Sequence, residues 1–374
     1  FQADDGIRAV ERSRGLGDVY KRQDGDLDIV SGSFNDDTIA WYENNGAADP
    51  SFTAADIATS ADGIHSIFLA DVDLDGVVDF IVASKSGHLY LFDINGLKFD
   101  YDAGRWLIGT PVIGNIDSDP ELEIIVGSYQ SPTSSSPLFA VNHDGTDANG
   151  YPYVLGEKIK SGVAVADMDE NGIDDIIFGT DGDNIYVLMD DLTIAPGFPI
   201  DLGNNVRSEP AILDLGYEKV ILSGCQNDNF YAINFSDASL RFVIPTGDDV
   251  FGSPSFFEDS SGVNIFFGSD DGNVYAVDVN GNSLSGFPLI ITTGGIIGSI
   301  VFSDLNDDNL VEMIIADDLG NIYAQNLNGE TIHGFPVSHL FPFSNSPQII
   351  DSVSYTHLRA HETSLHLVCR LLLE

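Results

Sequence analysis

Positive charge is scarce in this chain: 15 lysines and arginines stand against 59 aspartates and glutamates, a formal net charge of −44. A field of that sign repels nucleic acid and anionic lipid and gathers cations, which argues against the first two as partners. Cysteine is rarer still. Cys225 and Cys369 are the only two, so no disulfide framework can be read and cysteine says nothing about compartment. No apolar run reaches the roughly 18 residues of a membrane-spanning helix, and no signal-peptide pattern is visible. Long amphipathic helical periodicity is missing, as are GxSxG, HExxH, P-loop and dinucleotide motifs. His65, His88, His143, His333 and His339 are too scattered to assemble an acid–base pair or a metal site, so the expectation is a protein that is not an enzyme.

What is abundant is apolar and turn-forming. Apolar residues make up 43% of the chain, with 38 glycines, 23 phenylalanines and 13 tyrosines, enough to bury a large core and too much for a disordered chain. The few basic residues crowd the ends. Arg8, Arg12, Arg14, Lys21 and Arg22 precede residue 23, and Arg359 and Arg370 fall in the last 22 residues. The segments around RSRGLGDVYKRQ and VSYTHLRAHETSLHLVCRLLLE look like translated sequencing-adaptor read-through of the kind found in metagenomic assemblies. Residues 1–23 and 353–374 are therefore set aside as non-native flanks, and residues 24–352 are read as the domain.

Within those bounds one pattern repeats: an Asp-rich loop, four or five apolar residues, Gly-Ser or a close variant, a short polar turn, then an aromatic-containing strand. It opens at Asp24, Asp71, Asn115, Asp167, Leu213, Phe256 and Asp304, and again at Asp351, which gives a period of roughly 47 residues. Pro152, Pro199, Pro245, Pro288 and Pro336 keep the same beat at intervals of 43 to 48 residues, mostly inside GYP or GFP. Proline lacks an N–H and favours strand starts and edges, so it marks unit boundaries. Each unit parses as four short strands joined by Asp-Gly, Asn-Gly or Gly-Asn turns. The expected fold is all-β, a β-propeller of four-stranded antiparallel blades, seven in number. Residues 344–351 would supply the strand missing from the partial unit that starts at Asp24.

The loops carry the chemistry. Asp71, Asp73, Asp75 and Asp79 stand at positions one, three, five and nine around Gly76, with the Val77 carbonyl at seven. Asp167, Asp169, Asn171 and Asp175 repeat this with the Ile173 carbonyl, and Asp304, Asn306, Asp308 and Glu312 with the Leu310 carbonyl. Hard oxygen ligands at alternating positions round a tight turn suit Ca²⁺. Crowded carboxylates repel one another unless a cation neutralises them. Position twelve is Val82, Phe178 or Ile315 rather than glutamate, which excludes an EF-hand. Weaker sets are Asn115, Asp117, Asp119 and Glu123, where Pro120 takes the turn position, and Asp24 with Asp28.

These units resemble the FG-GAP or VCBS-type repeats of integrin α-subunit heads and of many bacterial surface proteins. The resemblance implies a propeller with calcium in the loops between first and second strands. It also implies a secreted or cell-surface module for adhesion, binding an extracellular protein or polysaccharide on the opposite face as part of a larger chain. Arg105, Trp106, Tyr129, Arg207 and Phe251 are the candidates for that face, since Trp and Arg commonly anchor binding surfaces. The alternative from another class is the propeller of a calcium-dependent polysaccharide-degrading enzyme such as a lyase.

Overall fold

The computed structural model describes residues 8–10, 19–21, 27–32, 39–44, 52–59, 61–93, 95–117, 121–129, 136–259, 262–306, 308, 310–339, 342–343 and 346–347. Every regular element among them is a β-strand. After β1 (Arg8–Val10) come β2 (Val19–Lys21), β3 (Leu27–Gly32), β4 (Ile39–Asn44) and β5 (Phe52–Ala58), which form one sheet. The next is β6 (Ile64–Ala70), β7 (Asp79–Ser84), β8 (His88–Asp93) and β9 (Gly96–Asp102). It is followed by β10 (Val112–Gly114), β11 (Glu123–Gly127), β12 (Ser136–Val141) and β13 (Tyr153–Leu155). These three sheets belong to one compact unit, residues 14–162.

The second unit, residues 163–347 with the first 13 residues, holds four more sheets. They are β14 (Ala164–Ala166), β15 (Asp175–Gly179), β16 (Asn184–Leu188) and β17 (Ile200–Asp201); then β18 (Ala211–Asp214), β19 (Lys219–Cys225), β20 (Asn229–Asn234) and β21 (Leu240–Pro245). β22 (Ser255–Asp259), β23 (Gly262–Gly268), β24 (Asn273–Asp278) and β25 (Leu289–Ile290) precede β26 (Val301–Ser303), β27 (Glu312–Ala316), β28 (Asn321–Asn326) and β29 (Val337–Ser338). In each sheet four consecutive strands pair antiparallel in chain order. Seven such sheets are the blades of a β-propeller fold, as expected.

The strand missing from the first sheet is supplied differently from the expectation. Val19–Lys21 takes that position by pairing with β3, and residues 348–351 lie outside the described residues. β1 adds a fifth strand beyond β18. Short segments rich in Val and Tyr pair readily with an open sheet edge, whatever their composition suggests of their origin.

After a charged first residue, the second strands β7, β11, β15, β19 and β27 run through consecutive buried apolar residues because both of their faces are covered. Along β19, Ile221 joins Ile177, Val187 and Ile233 in one cluster, whereas Val220 and Leu222 join Ile265 and Phe267 in another. Alternate residues point to opposite faces, so the run KVILSGC serves two neighbours at once. In the first unit Phe80 and Val82 pack with Ile64, Ile67 and Ile39, while Ile81 and Ala83 pack with Ile124 and Val126.

The glycines at or next to the end of four second strands have a packing reason. A Cβ on Gly127 would strike Ile159, on Gly179 or Gly224 the valines 206 or 250, and on Gly268 Ile296. In every case the obstacle is an aliphatic side chain of the segment leaving the fourth strand, so the repeated glycine lets that segment close over the sheet. Gly268→Ala is expected to cost about 1–3 kcal/mol by overpacking, to be read from the urea midpoint against the parent chain.

Candidate metal centres and ligand surface

Among the described residues, the four Asp-rich loops that begin at Asp71, Asn115, Asp167 and Asp304 fall between first and second strands and share one anchoring hydrogen bond. The N–H at position two donates to the carboxylate at position nine: Val72 to Asp79 Oδ2 (3.0 Å), Ile116 to Glu123 Oε2 (3.0 Å), Met168 to Asp175 Oδ2 (2.9 Å) and Leu305 to Glu312 Oε2 (2.8 Å). Those four carboxylates are buried to 1% exposure or less. The N–H at position six donates to position one, from Gly76 to Asp71 Oδ2 and from Gly172 to Asp167 Oδ2. The N–H at position seven donates to the side chain at five at 2.7 Å in the loops beginning at Asp71, Asp167 and Asp304. Position six needs a left-handed backbone, with φ of 85° at Gly76 and 93° at Gly172, which glycine adopts freely.

This frame turns the side chains at positions one, three and nine toward one point. One oxygen each of Asp71, Asp73 and Asp79 lies within 4.8 Å of the others, and the same holds for Asp167, Asp169 and Asp175. Both clusters can hold a metal ion. In the loop from Asp304, position three is the amide of Asn306, and Asp308 donates its N–H to that amide oxygen at 3.0 Å. In the weaker set the structure places Asn115, Asp117 and Glu123 in the corresponding turn, while Asp119 and Pro120 lie outside the described residues. So do Asp24 and the side chain of Asp28.

The clusters carry the electrostatic cost that repulsion implies. Burial pushes Asp175 up to about 6, and the Asp169 and Asp190 carboxylates add to it against the N–H bonds from Met168 and Asp190. Burial likewise raises Glu312, helped by Asp308 and Asp304. The loop from Asp71 is different. Lys98 Nζ lies 2.9 Å from Asp73 Oδ2, 2.7 Å from Asp79 Oδ1 and 4.0 Å from Asp75 Oδ2. Its hydrogen bond holds Asp73 below the usual carboxylate range, whereas burial still raises Asp79. Burial works against the ammonium as well, but its pairing with the Asp79 and Asp73 carboxylates outweighs it and keeps Lys98 above its ordinary value. One oxygen of Asp71, Oδ1, is out of solvent with no hydrogen-bond donor.

Residues 23–82, which span the first sheet and the loop from Asp71, match the FG-GAP-like repeat family. This chain is a β-propeller that contains an FG-GAP-like repeat. The propeller fold is similar to Sqt1 of Saccharomyces cerevisiae, at 13% identity and a TM-score of 0.58 over 80% of each chain. It is similar also to the computationally designed Ika8 protein, at 12% identity and a TM-score of 0.57 over 92% of this chain and 93% of that one. A third likeness is to BBS1N in its complex with ARL6DN, soaked with lead, at 14% identity and a TM-score of 0.53 over 75% and 82%. At such identities the likeness concerns fold alone. No curated protein matches the chain. FG-GAP-like repeats occur in extracellular proteins, and among the described residues no helix is long and apolar enough to cross a membrane.

At the opposite end of each sheet lie the second-to-third turns and the segments leaving the fourth strand. In the first unit of the propeller this end brings Trp106 and Tyr129 together. Each donates its N–H to the other's carbonyl (3.0 and 2.9 Å), and their rings sit 5.5 Å apart. Lys85 lies over Trp106 at 5.3 Å, and Lys158 and Lys160 over Tyr129 at 5.3 and 4.6 Å. Arg105 is beside them, donating Nη1 to Gly104 O at 3.0 Å. Arg207 and Phe251 belong to the other unit, where Arg207 Nε donates to Asp181 Oδ1 at 2.6 Å. The expected ligand residues thus divide between the units, and the three lysines are additions that residue spacing does not reveal.

The corresponding end of the second unit is acidic. Asp228, Asp248 and Asp249 converge within 4.8 Å. Asp270 is pushed up to about 6 by burial and by the carboxylates of Asp248, Asp249, Asp318 and Asp271, and its Oδ1 has no hydrogen-bond partner. Because the folded chain raises this value, it holds the Asp270 proton more tightly than the unfolded chain does. The associated stability is full below about pH 4 and lost as pH rises through about 6. Asp270→Asn should therefore match the parent near pH 4 and exceed it by about 1–2 kcal/mol at pH 8, after allowing for solvent screening; urea denaturation in chelator at three pH values measures this.

Proposed function

We propose that the chain is an extracellular, calcium-binding adhesion or ligand-binding module, and that it is a binding protein rather than an enzyme. The observation that carries the metal reading is the loop from Asp167, where three carboxylates converge on one point and Asp175 is buried at its base. Calcium suits it because every side-chain ligand is a hard oxygen and the Ile173 carbonyl is at hand, whereas zinc and copper sites call for nitrogen or sulfur. The loop from Asp304, with Asn306, Asp308, the Leu310 carbonyl and Glu312, is the second such site. Calcium there would hold two sheets by their turns and leave the opposite end free to bind.

The Trp106–Tyr129 pair supports a ligand of negative charge. Lys85, Arg105, Lys158 and Lys160 gather there in a chain of net charge −44, with lysine ammonium groups lying over both rings. A carboxylate or sulfate group, borne by a protein or by a polysaccharide, is the complementary chemistry.

Two outcomes test this reading. Saturating Ca²⁺ should raise the melting temperature by about 5–10 °C over chelator, and Asp175→Asn should remove at least half of that gain; an unchanged curve in the parent chain would overturn the metal reading. For the ligand surface, a fluorescein-labelled triglutamate peptide and a galacturonate oligosaccharide are compared by anisotropy. Lys158→Ala with Lys160→Ala is expected to weaken whichever binds by about three- to tenfold, with melting unchanged.

A further inference from the structure

We infer that Lys98 is the resident cation of the loop from Asp71, taking the place that a divalent ion would occupy in its sister loops. The inference uses the calcium reading for its contrast and concerns a loop which that reading by itself would fill with metal. Its first support is distance. Ca²⁺ sits about 2.3–2.6 Å from its oxygen ligands, and the Lys98 ammonium is 2.7 Å from Asp79 Oδ1 and 2.9 Å from Asp73 Oδ2. An ion bound by those two oxygens needs the volume the ammonium fills. One excludes the other.

The second support is how the sheet delivers the lysine. Leu91 pairs with Phe99 and Phe92 with Leu97, so Lys98 is the extra residue of a β-bulge, a device that re-aims a side chain. The turn before it is tight, with Asn95 and Gly96 both donating N–H to Asp93 Oδ1. As a result β9 runs along the whole of β8 and reaches its loop end. In the sheets of the other two metal loops the fourth strand is only two residues long and pairs at the far end. Ile200–Asp201 lies against Asn184 and Ile185, and Val337–Ser338 against Asn321 and Ile322. Those strands place no residue beside the loop.

A second sheet follows the same rule independently. β21 also runs the length of β20, and its pairing skips Arg241 between Leu240 and Phe242. Arg241 then reaches Tyr217 Oη in the first-to-second turn of its own sheet at 3.4 Å, and donates to Asn234 Oδ1 and to Val279 O. That turn lacks the carboxylate pattern altogether. A full-length fourth strand with a bulged basic residue thus accompanies a turn that has no need of metal.

The experiment counts calcium bound after equilibrium dialysis for the parent chain and for Lys98→Met. The variant is expected to bind one more equivalent, and in chelator to melt about 5 °C or more below the parent, a loss that calcium restores. Equal calcium counts in the two proteins would overturn the inference. The parent count tests the calcium reading separately: zero would end that reading, while a gain of one in Lys98→Met would still uphold the role of the lysine. Should Lys98→Met fail to fold, the Nζ resonance of Lys98 in the ¹⁵N-lysine-labelled parent decides. It should stay in place at saturating Ca²⁺, and its displacement by the ion would overturn the inference.

Discussion

A carboxylate buried at the ninth position of the first-to-second turn, and bound by the N–H at the second, is the interaction around which these turns are built. Asp79, Glu123, Asp175 and Glu312 all make it. The bond closes the loop onto the start of the second strand, where the apolar run begins, so loop and core share an anchor. It also places a negative charge where solvent cannot screen it. Every other acidic side chain in the turn then adds to a demand for positive charge that something must meet.

The molecule meets that demand in more than one way. Lys98 enters the loop from Asp71 through a bulge, and Arg241 covers a turn whose carboxylates are absent. The loops from Asp167 and Asp304 have no such strand beside them; the basic side chain at the first is Lys219 of the next sheet, which binds Glu170 Oε1 at 3.3 Å and Met168 O at 3.4 Å. For Lys98 and Arg241 the length of the fourth strand matters, because a strand that pairs along its whole neighbour carries a basic side chain back to the turn of its own sheet. The same scarcity of cations shapes the opposite end. Lysines held over Trp106 and Tyr129 concentrate positive charge in one unit, whereas Asp248, Asp249 and Asp270 concentrate the reverse in the other.

The repeat period, the four-strand parsing and the position of each Asp-rich loop are legible in the residues because each rests on local chemistry. Apolar runs need cover on both faces, glycine is required where a side chain would collide, and alternating carboxylates mark a turn. The bulges are not legible in this way. Whether Lys98 pairs or is skipped depends on how the tight turn after Asp93 sets the register of two strands, and nothing in the residue itself says so. Trp106 and Tyr129 are single candidates in the chain, and their meeting across two adjacent sheets requires the pairing of their backbones. Val19–Lys21 reads as foreign by composition, yet an open sheet edge accepts a strand on hydrogen bonding alone.

The amino-acid order by itself therefore determined an all-β chain of repeated four-stranded sheets with acidic turns at one end, since those features follow from periodicity and turn chemistry within a few residues. Tertiary structure alone decided which turns already contain a positive charge and which cations meet an aromatic pair. Those outcomes depend on side chains that are tens of residues apart, brought within about 3 to 5 Å by strand register, and register is a property of paired strands rather than of either one.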